Sequence, residues 1–198
     1  MIIWINGAFG SGKTQTSYEL HRRIPDSFVY DPENMGFFID KNIPAEIHKQ
    51  NFQDYCSWRE LNYTLLKNME REYNGIIMVP MSIVNPHYFE EIIGRLRNDK
   101  VIVKHFVLWA SKETLLKRLR SRGESKNSWG AKQIDRCMQG LSNHIFQHRI
   151  DTENMTMEHV AESIASISNI HLLPDNRNKL RKRLDRFKIQ LKQMRFLK

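Results

Sequence analysis

Gly7-Ala8-Phe9-Gly10-Ser11-Gly12-Lys13-Thr14 matches G-x-x-x-x-G-K-[ST] at every fixed position. The chemistry these residue types offer is phosphate binding. Glycines let a backbone curl until successive N–H groups face one anion. The Lys13 ammonium reaches the outer phosphates of a nucleoside triphosphate, and the Thr14 hydroxyl is a hard oxygen ligand for Mg²⁺. Gly7, Ala8, Phe9, Gly10, Ser11, Gly12, Lys13 and Thr14 are therefore the expected ATP-binding set. Within it Lys13 also stabilises the transferred phosphoryl group, and Thr14 holds Mg²⁺.

Such a loop works only between a buried strand and a helix whose N-terminus points at the phosphates. Both neighbours are legible. Ile2-Ile3-Trp4-Ile5-Asn6 reads as a buried strand, and Thr14 to Arg23 as a helix. The rest of the body repeats the alternation. Strands are expected at 28–30, 76–79, 101–109 and 149–152. Helices are expected at 52–73, 86–97, 112–122, 131–141 and 157–166. Pro86, Ser111 and Thr156 serve as helix-start signals. In the 52–73 helix, Phe52, Tyr55, Leu61, Leu65 and Met69 take the inward positions. Residues 33–51 have no clear period; they hold an apolar knot, Met35-Gly36-Phe37-Phe38, and a short helix after Pro44. The polar, glycine-flanked stretch 123–130 reads as a mobile loop. Strands alternating with helices give an α/β fold, a P-loop NTPase whose parallel sheet carries helices on both faces.

Other residues can act on a phosphoryl group. Arg118 and Arg122 lie four apart, on one face of the 112–122 helix, just before the polar loop. Guanidinium groups there would clamp phosphoryl oxygens, and a closing loop would exclude water. The alternative is a solvated basic helix face. Asp31 ends the second strand, where open α/β sheets bind ligands. It suits the carboxylate that holds or deprotonates an acceptor hydroxyl, or it merely forms an Asp-Pro turn. Trp58 and Arg59 sit where acceptor-binding helices are inserted, and Met35 of the apolar knot joins them as an acceptor-side residue. Arg59 would hold an anionic or nucleobase-like acceptor, or else form an ordinary salt bridge. The strand 76–79 ends in Pro80, so no carboxylate near Mg²⁺ comes from that place.

The net charge of +9 is local. Ten basic residues follow Pro174, against Asp175 and Asp185 alone, so the last 25 residues carry +8 and the body +1. A globally basic nucleic-acid binder would not have a neutral body. Leu180, Leu184, Phe187, Leu191 and Met194 form one apolar stripe in this tail. A basic amphipathic helix of this kind lies at an anionic membrane surface; the other readings are a helix docked on the body and a nucleic-acid tail. No apolar run reaches transmembrane length, and no secretory leader pattern opens the chain. Cys56 and Cys137 have no metal spacing and are expected as buried thiols in a reducing, cytoplasmic setting. The expected division is a P-loop kinase-like domain at 1–173, with a lid at about 121–136, and the basic helix at 174–198.

The motifs also carry a resemblance. Leu115-Leu-Lys-Arg-Leu-Arg-Ser-Arg-Gly123 is similar to the lid arm of nucleoside monophosphate kinase-like P-loop proteins. That implies that Arg118 covers the adenine, that Arg122 contacts phosphates, and that Lys126 and Arg136 close on the transferring group. Met1–Thr16, Val29-Tyr-Asp-Pro-Glu33, Met78-Val-Pro-Met81, Ile92-Ile-Gly-Arg-Leu-Arg97, Ala110–Arg120, Lys126-Asn-Ser-Trp129 and Ala131–Cys137 resemble the ATP-binding tunicamycin resistance proteins of bacilli over nearly the full length. This family implies ATP binding and resistance to a uridine-containing, fatty-acylated nucleoside antibiotic, which the protein either phosphorylates or only holds. Membrane proximity would suit a lipidic substrate.

Overall fold

The computed structural model describes residues 1–193. Its centre is β1 (Ile2–Gly7), every residue of which is buried. A strand buried on both faces reads as a continuous apolar run, which is why Ile2-Ile3-Trp4-Ile5 shows no alternation. β1 pairs in parallel with β3 (Ile76–Pro80) on one side and β4 (Val103–Trp109) on the other. β2 (Ser27–Val29) and β5 (Arg149–Asp151) form the edges, giving the order β2-β3-β1-β4-β5, all parallel.

The two faces of β1 feed two cores. Ile2 and Trp4 pack with Trp58, Leu66, Phe89, Ile93 and Leu96 beneath α3 (Cys56–Glu72) and α4 (86–98). Ile3 and Ile5 pack with Leu20, Phe106, Val160 and Ile164 beneath α1 (Lys13–Arg23) and α7 (Met157–Ser168). A third cluster of Ala8, Leu115, Leu119, Ile134 and Cys137 seats α5 (Lys112–Arg120) and α6 (Trp129–Leu141) behind the glycine loop. Ser111 and Thr156 cap α5 and α7, their hydroxyls accepting from Thr114 N and His159 N.

The structure corrects the sequence reading in several places. The apolar knot is the middle of a helix, α2 (Glu33–Asn42), and only a 3₁₀ turn, Ala45–Ile47, follows Pro44. The expected helix 52–73 is broken: Phe52–Asp54 is a 3₁₀ turn and α3 starts at Cys56. Its phase shifts accordingly, so Trp58, Arg59, Asn62 and Leu66 face inward while Leu61 and Leu65 are exposed. Helix α4 contains a π turn at Glu90–Gly94. The loop between α5 and α6 lies two residues earlier than expected, at 121–128, because α5 ends at Arg120 and Ser128 caps α6 by accepting from Ala131 N. Cys137 is buried as expected, but Cys56 is exposed at the start of α3.

The last helix, α8 (Lys179–Gln193), docks on the body through its polar side. Arg177, just before it, donates to Glu19 Oε1 at 2.5 Å and to Asp185 Oδ2 at 3.1 Å, and Arg186 donates to Glu158 Oε1 at 2.8 Å. Ile189 is buried, whereas Leu180, Leu184, Phe187 and Leu191 are exposed, Leu180 at 67%. Docking and an outward apolar stripe thus coexist on opposite sides of one helix. The stripe's final member, Met194, lies outside the described residues. Among the described residues no helix is long and apolar enough to cross a membrane.

Candidate functional site

The glycine loop connects β1 to α1 and is fixed from both sides. Asn6, fully buried, accepts from Gly7 N at 2.8 Å and from Ile83 N at 3.1 Å, and its Nδ2 donates to Ile83 O. Ser82 Oγ donates to Gly7 O at 2.6 Å. One buried amide therefore ties the root of the loop to the exit of β3. Gly10 and Gly12 have φ of +83° and +98°, a region that side chains rarely adopt. A Cβ on Gly10 would also meet Leu115 O at 2.7 Å. The Ser11 hydroxyl is buried with no hydrogen-bond partner. Lys13 Nζ donates to Gly7 O and Ala8 O, at 2.8 and 3.0 Å, within its own loop. Burial brings the Lys13 pKa down from 10.5 to about 8, with the negative potential of Cys137 and Glu33 opposing the shift and the Arg122 guanidinium adding to it. A curled backbone, an orphaned hydroxyl and a partly desolvated ammonium fit a phosphate chain, which would supply the charge and the acceptors they lack. Thr14 at the first turn of α1 fits a hard cation. No group of three or more His, Cys, Asp or Glu that would hold a metal occurs among the described residues.

In front of this loop lies a cavity of about 530 Å³. Gly10, Gly12, Lys13 and Thr14 form one side, joined by Arg122, just after α5, and Arg136 of α6. The other side consists of Glu33, Phe37 and Asp40 of α2 and of residues 49–53. Phe9 and Trp129 meet edge to face, 5.0 Å between ring centroids, and close the cavity between loop and α6. Cationic groups for phosphate and carboxylates for a hydroxyl thus face one shared space.

The residues singled out from sequence distribute unevenly around it. Arg118 and Arg122 do not share a face, because α5 ends at Arg120 and the chain turns through Gly123 at φ +84°. Arg122 lines the cavity. Arg118 instead donates to Thr152, to its hydroxyl at 3.0 Å and its carbonyl at 2.5 Å, bridging α5 to the turn after β5. Burial lowers the basicity of both guanidinium groups. Arg136 is exposed at the rim and donates to Gln133, while Lys126 is exposed and outside the wall. Asp31 stands at the end of β2, where its Oδ1 accepts from Glu33 N at 3.1 Å, starting α2; its side chain is not part of the wall. Met35 packs into the core.

Trp58 and Arg59 lie behind the acceptor wall rather than on it. Trp58 donates to Pro32 O and its ring meets Phe52 at 5.4 Å. Arg59 is buried, pairs with Glu91, donates to Gln53 O at 2.6 Å and stacks on Tyr88. They hold Phe52 and Gln53, which face the cavity. The acceptor-side residues that sequence reasoning missed are Glu33, Phe37, Asp40 and the 49–53 loop. Their signal was the spacing 33, 37 and 40, one helical face, which is visible only once 33–42 is read as a helix.

The sequence family described as an AAA domain matches residues 2–143. Among solved structures, the tunicamycin resistance protein of Deinococcus radiodurans is similar, at 34% identity and a TM-score of 0.75. The match covers 88% of this chain and 98% of that one. A gluconokinase from Sinorhizobium meliloti 1021 (11% identity, TM-score 0.57, 83% and 89% covered) shares the fold alone. So does a shikimate kinase from Bacteroides thetaiotaomicron (15%, 0.58, 86% and 99%). No curated protein matches the chain.

Proposed function

The chain belongs to the AAA-domain family of P-loop proteins, and is kinase-like in fold; from that premise we propose that it transfers the γ-phosphoryl group of ATP to a hydroxyl of the nucleoside antibiotic tunicamycin, and so confers resistance to it. The observation that carries this reading is that Lys13, Arg122, Arg136 and Glu33 line one shared cavity. The acceptor oxygen would bond to the γ-phosphorus as the bond to the ADP oxygen breaks, and Glu33 would take the hydroxyl proton. Lys13 and Arg122 are already partly desolvated, so they stabilise phosphoryl charge without losing much water at that moment. Thr14 would hold Mg²⁺, which supplies charge neutralisation on the phosphates. Asp31 positions Glu33 by fixing the first turn of α2, and Trp58 and Arg59 support the opposing wall.

A second reading, binding and sequestration of the drug without turnover, is favoured by Pro80 standing where a metal-side carboxylate would end β3. Mass spectrometry of tunicamycin incubated with protein and Mg-ATP separates the two. A gain of one phosphoryl group supports transfer, and unchanged drug with retained binding supports sequestration.

We further propose a peripheral contact with anionic membrane through α8. Its exposed Leu180, Leu184, Phe187 and Leu191, flanked by exposed Arg181, Arg183 and Lys188, support this, as does the tail's +8 charge. Each basic residue near an anionic bilayer contributes about 1 kcal/mol. Vesicle binding should weaken with salt without vanishing, and should be lost on deletion after Pro174; equal binding by the truncated chain would refute the assignment.

A further inference from the structure

Glu33, Phe37 and Asp40 are spaced by four and three residues, so α2 turns all three to one side. All three line the cavity. At 1.5 Å per residue the two carboxylates are set about 10 Å apart along the helix, with an aromatic ring between them. This face is held firmly. Gly36 lies flush on Phe52, where a Cβ would stand 2.5 Å from the ring's Cγ. Tyr55 joins α2 to the neighbouring 49–53 loop: its hydroxyl donates to Asp40 Oδ1 at 3.0 Å and accepts from Lys49 N at 2.6 Å. Phe52 meets Phe37 at 6.4 Å, so the two rings form one apolar floor.

The charges of this wall carry the chemical content. Ionised carboxylates only accept hydrogen bonds, so they select O–H or N–H donors and repel an acceptor's own carboxylate or phosphate. Arg59, the guanidinium nearest this wall in sequence, already serves Glu91 and Gln53 O behind it. Lys13, Arg122 and Arg136 line the same cavity; with a triphosphate occupying them, the acceptor side would keep Lys49 beside Glu33 and Asp40.

We infer that the Glu33–Phe37–Asp40 face is the acceptor-recognition surface, and that it selects an uncharged, ring-bearing acceptor with hydrogen-bond donors near both ends. Glu33, at the start of α2, takes the reacting hydroxyl. Phe37 carries the flat ring, and Asp40 takes a donor at the far end. The class is a neutral nucleoside or ring-bearing glycoside longer than one sugar, and not a small hydroxy acid or a nucleotide. The inference rests on the phosphotransfer reading above and adds to it the residues that choose the acceptor.

The test uses the full chain loaded with a non-hydrolysable ATP analogue and titrated calorimetrically with uridine and with uridine 5′-monophosphate. The parent should bind uridine at least about tenfold more tightly than its monophosphate, because the added charge faces two carboxylates. Asp40→Asn should weaken uridine binding several-fold and narrow that preference. Phe37→Leu should weaken both ligands while leaving their ratio intact. The affinity for the ATP analogue, measured on the same samples, reports that each variant is folded. Equal or tighter binding of the monophosphate by the parent overturns the inference, as does an Asp40→Asn protein with unchanged affinity and ratio. The function reading fails separately, when the parent neither binds nor modifies tunicamycin. If the drug is phosphorylated while neither variant moves its KM, the phosphotransfer reading stands and the α2 assignment falls.

Discussion

The two sides of the cavity are built by different means. The phosphate side centres on one contiguous stretch, residues 7–14, joined by Arg122 and Arg136, and what that stretch offers is mostly backbone: curled N–H groups, glycines at positive φ and a helix start. The acceptor side comes from separate pieces, α2 and the 49–53 loop, and what it offers is side chains. A triphosphate can therefore be recognised by a conformation, whereas an acceptor is recognised by which groups project. The first kind of site tolerates change in neighbouring side chains and fails when a glycine or the lysine is lost. The second can be retuned one residue at a time.

The largest expected effect is on the phosphate side. Lys13→Ala removes the ammonium that now bonds Gly7 O and Ala8 O and would transfer to phosphate. Its loss should weaken ATP binding by about 1.5–3 kcal/mol, and phosphotransfer by more, because phosphoryl charge grows in the transition state. Titration calorimetry with ATP checks the first. A Lys13→Ala protein that binds ATP and confers resistance like the parent would remove the loop from the site.

The next effect belongs to the acceptor side and separates Asp31, the carboxylate expected from sequence, from Glu33, which lines the cavity. Glu33→Gln should lower kcat by about a hundredfold, the scale of a general base, while ATP affinity is kept. Asp31→Asn should cost less, since the amide oxygen can still accept from Glu33 N and start α2. Single-turnover phosphorylation of the drug compares them. A larger loss in Asp31→Asn would return the base to Asp31 and reduce Glu33 to a wall residue.

This ranking shows where legibility ended. The loop, β1 and β3 were readable because each is a local pattern: a fixed spacing of glycines, an apolar run ending at the glycine loop, or an apolar run between Gly75 and Pro80. The starts of α5 and α7 were readable because Ser111 and Thr156 satisfy backbone N–H groups within three residues. α2 was not. Its apolar side chains are divided, Ile39 in the core, Phe37 on the cavity and Phe38 in solvent, so the sequence shows no single stripe. Of the two readings of Arg59, an acceptor-binding group or a salt bridge, the structure has the salt bridge, buried beneath the wall. Its partner, Glu91, lies 32 residues away in α4, and only the fold determines whether such a guanidinium serves a ligand or a wall. The α8 stripe was legible as a pattern, but which side of the helix meets the body depends on Glu19 and Glu158, far upstream.

The smallest expected effect is a pH dependence confined to the phosphate side. In the free protein, burial holds the Lys13 pKa near 8 instead of 10.5. A triphosphate beside it favours the charged form and raises that pKa, so above pH 8 binding must take up a proton. The sign follows: the ammonium's contribution to ATP affinity is fully present below pH 8 and is lost as pH rises through the range between the free and bound pKa values. The slope approaches tenfold per pH unit at most, roughly 1.4 kcal/mol, for one linked proton. The ligand-free protein behaves oppositely. Between pH 8 and 10.5 its unfolded state binds more protons at Lys13, so that group's contribution to stability rises with pH. ATP titrations in two buffers of different ionisation enthalpy would reveal the proton uptake, and Lys13→Met should abolish it. An ATP affinity that stays flat from pH 7 to 10 would mean that the ammonium is already fully solvated and charged in the free loop. The ammonium would then bind phosphate without a linked proton, the loss in Lys13→Ala would be the same at every pH, and the phosphate side would differ from the acceptor side by its backbone N–H groups and not by any titration.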